Sequence, residues 1–60
     1  MVGPQKVQEI IKALAYGETA EQIAEVEDVT VADVKQIQQD YAVDIDFERN
    51  QLKKAGYIHE

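Results

Sequence analysis

Thr19-Ala20-Glu21-Gln22-Ile23-Ala24-Glu25-Val26 and Thr30-Val31-Ala32-Asp33-Val34-Lys35-Gln36-Ile37 repeat one pattern, eleven residues apart. The first reads T-x-x-Q-I-x-x-V and the second T-x-x-D-V-x-x-I. Each opens on a threonine whose hydroxyl can accept a hydrogen bond from the first turn of a helix. Each places a polar acceptor three residues on, able to return the bond to the threonine N–H. Aspartate in the second copy is a shorter version of the usual Glu or Gln. Two helix starts this close leave room for one short helix and a tight turn between them, the spacing of a helix-turn-helix.

Working outward, Asp28-Val29 forms the turn, because Asp tolerates a left-handed backbone better than most residues with a side chain. Val29, just before the Thr30 cap, is placed to staple against Val34. The helix after the turn is expected over about Val31 to Tyr41, with Val34, Ile37 and Tyr41 inward. Upstream, Val7, Ile10, Ile11 and Leu14 recur at helical spacing. Pro4 suits the first position of that helix and Gly17 its end. Downstream, Ala42-Val43-Asp44-Ile45 reads as a connector or a short extended piece. Asp44 or Asp46 would then cap a fourth helix carrying Ile45 or Phe47, then Leu52 and Ala55, and stopping at Gly56. Tyr57 and Ile58 would fold back over that end, with His59 and Glu60 fraying. The expected class is all-α: a three- to four-helix bundle, one domain over residues 1–60, with a core of Val7, Ile10, Ile11, Leu14, Ile23, Ala24, Val34, Ile37 and Leu52.

Sixty residues with 45% apolar composition can bury one small core. A chain of that length buries only about 60% of the surface it exposes when unfolded. Cysteine is absent, so neither a disulfide nor a thiolate metal site supports the fold. No apolar run approaches the roughly 20 residues that cross a bilayer, and no secretory signal is visible. The expectation is a cytoplasmic protein with no membrane association. Net charge is −6 and unevenly spread. Residues 1–16 carry +1 (Lys6, Lys12 and Glu9), whereas residues 17–30 carry −5 (Glu18, Glu21, Glu25, Glu27 and Asp28).

Catalytic chemistry finds little to use. There is no serine or cysteine, and the single histidine is His59. Glu18, Glu21 and Glu25 at helical spacing read as a solvated face rather than as acid–base groups in a cleft. Asp44-Ile45-Asp46-Phe47-Glu48 alternates carboxylates like the start of a calcium loop. The glycine and glutamate that such a loop needs at its sixth and twelfth positions are Arg49 and Ala55 here. First-turn acids facing a helix dipole explain these residues better. Gly3, Gly17 and Gly56 are too scattered for a phosphate loop. No enzymatic activity, cofactor or metal is expected.

The stretch over residues 19–39 resembles the helix-turn-helix of bacterial and phage transcription regulators. Counting the preceding helix as the supporting one extends the likeness to residues 7–41. The family's first helix carries Ala in its middle. Gly follows four residues on, then a small apolar residue, then a cap, and the second helix buries aliphatic residues. Ala24, Asp28, Val29, Thr30, Val34 and Ile37 hold those places here, with Ile23 before the alanine. The chain departs from the pattern in having Asp28 for the glycine and Glu27 for the apolar residue before it.

The resemblance implies a regulator that binds double-stranded DNA through its second helix, which lies in the major groove. Val31, Ala32, Lys35, Gln36 and Gln39 would face the bases. Gln pairs with adenine, Lys donates to guanine, and Ala or Val meets a thymine methyl. Phosphates would fall to Lys6, Lys12, Arg49, Lys53 and Lys54. A homodimer would double these few cations and bury further surface. The charge pattern supports a different expectation, an acidic module that binds a basic partner protein through Glu18, Glu21, Glu25 and Asp28.

Overall fold

The structure, a computed structural model, describes residues 2–56. Among them the fold is all-α, with α1 (Pro4–Tyr16), α2 (Ala20–Glu27), α3 (Val31–Asp40) and α4 (Ala42–Lys54). Helix α1 is the hub and packs on all three others, most extensively on α4. Helix α2 packs on α1 and α3 and has no contact with α4.

Local chemistry sets most of the helix ends. Gly3 is extended and Pro4 opens α1, where a missing N–H has no helical acceptor to lose. At the other end Gly17 takes φ 97°. Its N–H bonds Leu14 O at 3.0 Å and the Glu18 N–H bonds Ala13 O at 3.2 Å, so two end carbonyls are satisfied. Both threonine caps form reciprocally. Thr19 Oγ1 accepts the Gln22 N–H at 3.1 Å, and Gln22 Oε1 accepts the Thr19 N–H at 3.2 Å. Thr30 Oγ1 accepts the Asp33 N–H at 3.0 Å, and Asp33 Oδ2 accepts the Thr30 N–H at 3.3 Å. Between α2 and α3, Asp28 is left-handed at φ 58° and ψ 46°. The Val29 N–H closes the end of α2 on Ala24 O at 3.1 Å.

The core is Ile10, Ile11, Leu14, Ala15, Ile23, Ala24, Val34, Ile37 and Ile45. Val7 and Leu52, expected inside, are half-buried against it, and so is Val29. Ile10, Ile11, Ile23 and Val34 are the largest fully buried side chains. Truncating any of them to Ala would cost about 2–5 kcal/mol. A core of this size supplies only about 3–5 kcal/mol in all, so each is close to indispensable.

The passage from α3 to α4 differs from the sequence reading. There is no connector over residues 42–45: α3 ends at Asp40 and α4 begins at Ala42. The whole corner is Tyr41, at φ −117° and ψ 29°. Its N–H bonds Ile37 O and its carbonyl accepts the Ile45 N–H, both at 2.9 Å, so one residue ends one helix and starts the next. That position leaves the Tyr41 side chain 36% exposed rather than inward. Neither Asp44 nor Asp46 is a cap. Asp44 lies in the first turn of α4 and no side-chain bond caps that helix. Of the two candidates for its inner face, Ile45 is buried and Phe47 is 61% exposed. Ala55 is exposed, and Gly56 is left-handed beyond the helix end. Tyr57, Ile58, His59 and Glu60 lie outside the described residues.

Candidate functional site

The two capped helices fix which face of α3 is free. Val34 and Ile37 are anchored in the core, so Ala32, Lys35, Gln36 and Gln39 lie on the solvent side, all exposed, with Val31 half-buried at the helix start. Of the two acids on α3, Asp33 is turned back onto the Thr30 N–H. Asp40 accepts a hydrogen bond from Gln36 Nε2 at 3.0 Å. Asp33 and Asp40 both fall on one flank of the face, and Lys35 falls on the other.

The expected phosphate-contacting cations are placed less uniformly. Lys12 and Lys54 are exposed, and Lys53 is half-buried in the last turn of α4. Arg49 is half-buried and reaches α1, where Nε donates to Ala15 O at 3.2 Å and an Nη to Leu14 O at 3.0 Å. Lys6 Nζ donates to Glu27 O at 2.8 Å, at the end of α2. Neither α1 nor α2 has a basic residue in its own last turn. Cations from elsewhere in the chain therefore meet the negative ends of both helix dipoles. The sequence does not announce these roles, because the partners are more than twenty residues distant and no local pattern marks them.

The acids of the alternative site, Glu18, Glu21, Glu25 and Asp28, are all exposed. Glu27 is half-buried beside them. Partial burial, and then its hydrogen bond to Glu9 and that carboxylate's charge, hold the Glu27 carboxyl above its ordinary value of 4.5, while Lys6 pulls it down. A shallow open groove lies here, lined by Lys6, Glu9, Asp28 and Val29 with the start of α1. Among the described residues no cluster of His, Cys, Asp or Glu is arranged to hold a metal ion, and no helix is long and apolar enough to cross a membrane.

Comparison with models of known protein families, with curated proteins and with solved structures gives no match.

Proposed function

We propose that this chain is a small helix-turn-helix DNA-binding module of a cytoplasmic transcription regulator, with no catalytic activity of its own. In this reading α3 lies in the major groove of double-stranded DNA. The observation that carries it is the outward row Ala32, Lys35, Gln36 and Gln39. It is presented by a helix whose start is fixed by a reciprocal cap and whose approach is fixed by the left-handed Asp28 turn. A capped helix places base-reading side chains more precisely than a loop does. The Gln36–Asp40 bond is exposed, so the amide can exchange it for a base edge at little cost. Lys12 and Lys54 are the exposed cations offered to phosphates.

Fluorescence anisotropy with a random-sequence duplex at about 50 mM salt tests this reading, because phosphate-driven affinity is strongest at low salt. Binding at micromolar protein that weakens as salt rises supports it, and no binding at that ionic strength overturns it.

A second reading is favoured by the placement of Arg49 and Lys6. With both cations held on helix ends, the exposed acids outweigh the remaining cations, and an acidic module for a basic protein partner fits that surface. Reversing Glu21 and Glu25 to Lys separates the two readings. It weakens a complex with a basic partner and strengthens or leaves unchanged one with DNA.

A further inference from the structure

Val43 and Phe47 stand one turn apart on α4 and are 81% and 61% exposed. At 100° per residue they share the side opposite buried Ile45 with Asn50 and Lys54. This apolar strip faces away from the core that α1 and α4 share. Charge along the helix is segregated. Asp44 and Asp46 flank the strip in the first half, and Lys53 and Lys54 occupy the last turn. Glu48 and Arg49 are half-buried on the inner side.

From this arrangement we infer that α4 is a self-association surface whose occupant is the α4 of a second copy of this chain, packed antiparallel about a two-fold axis at Phe47. Only the antiparallel arrangement satisfies both features of the helix. Phe47 then packs on its own symmetry mate, and Val43 covers the apolar stem of Gln51 in the other copy. The basic last turn of each helix then lies just beyond the acidic first turn of the other. Asp44 of one copy comes within about 6 Å, measured along the axis, of Lys54 in the other, a span that a lysine side chain covers. A parallel pair would instead set like charges side by side. Antiparallel helix dipoles add to the preference. Helix α4 has 13 residues and is about 20 Å long. Two such helices bury less than a standard interface, which places the pair among weak, concentration-dependent associations.

The inference deepens the DNA-binding reading, since a two-fold dimer presents two copies of α3, but its test needs no DNA. Sedimentation equilibrium of the full chain, from about 10 μM to 1 mM, reads the association directly. The expected result is a concentration-dependent shift to twice the chain mass. Phe47→Asp should raise the dissociation constant more than about tenfold. Asp44→Lys and Lys54→Glu should each raise it about fivefold, and the D44K/K54E double variant should restore it. Helix content by circular dichroism is followed in each variant, and Phe47→Gln replaces Phe47→Asp should the latter unfold. A chain monomeric throughout, a dimer indifferent to position 47, or a folded double variant that fails to recover each overturns the inference. A monomer that binds duplex DNA overturns the inference alone, and a dimer that ignores DNA overturns the DNA-binding reading alone.

Discussion

Arg49 of α4 donates its Nε–H to Ala15 O at the end of α1, across 34 positions of sequence, at 3.2 Å. With the companion bond to Leu14 O, one guanidinium closes the end of the hub helix and ties α4 to it. The fork of N–H donors suits two neighbouring carbonyls, which a single ammonium cannot match.

Replacing Arg49 with Ala should therefore cost about 2 kcal/mol, the worth of charge-assisted bonds in a half-buried setting. In a domain with so little reserve that is a large drop in melting temperature. Arg49→Lys should recover only part of it. Thermal denaturation by circular dichroism measures both, and an unchanged R49A midpoint would show that the bonds carry no net stability.

The twin caps make a matched pair of experiments. Thr19→Ala and Thr30→Ala should each cost about 1 kcal/mol, while Thr→Ser at either site keeps the oxygen and most of the stability. The caps start different helices and share no atoms, so the double variant should come close to additive.

Asp28 holds a left-handed backbone that an ordinary side chain resists by about 1–2 kcal/mol. Asp28→Ala should lower stability by about 1 kcal/mol, whereas Asp28→Gly should fall within about 0.5 kcal/mol of wild type, because relief of strain offsets the chain entropy of glycine. Denaturant midpoints with unchanged slope would establish the order. An alanine variant as stable as the glycine one would contradict this account of the turn.

Glu27 gives a pH dependence with a definite sign. Partial burial and Glu9 raise its folded carboxyl above the ordinary 4.5. The folded state thus holds its proton more tightly than the unfolded chain does, and stability falls as pH rises from about 4.5 through the raised value. Glu9→Gln removes the neighbouring charge. It should raise the melting temperature at about pH 7, with the gain fading by about pH 4. A gain that persists unchanged at about pH 4 would assign the effect to something other than this carboxyl.

Features set by neighbours along the chain are legible in the sequence itself. The two capping boxes, the Gly17 stop, the left-handed Asp28 and the inward row Ile10, Ile11, Leu14, Ile23, Ala24, Val34 and Ile37 all follow from spacing and residue type. The α3–α4 corner is not legible, because Tyr41 makes it with backbone bonds alone and carries no turn signature. The two acids after it imitate caps while serving as early-helix charges. Lys6 and Arg49 are legible as cations but not as helix-end donors, because their acceptors are backbone carbonyls brought near only by tertiary packing. The outward set on α3 is legible for the opposite reason, since helical period places it once Val34 and Ile37 are fixed in the core.

In the proposed DNA-binding reading, the outer face of α3 is the contact surface for DNA. A nitrogen–proton correlation spectrum of the labelled chain, titrated with duplex DNA at about 50 mM salt, addresses it residue by residue. The largest shifts are expected at Ala32, Lys35, Gln36 and Gln39, with smaller ones at Lys12 and Lys54. A spectrum that duplex DNA leaves unchanged, or shifts confined to Glu21, Glu25 and their neighbours on α2, would contradict it.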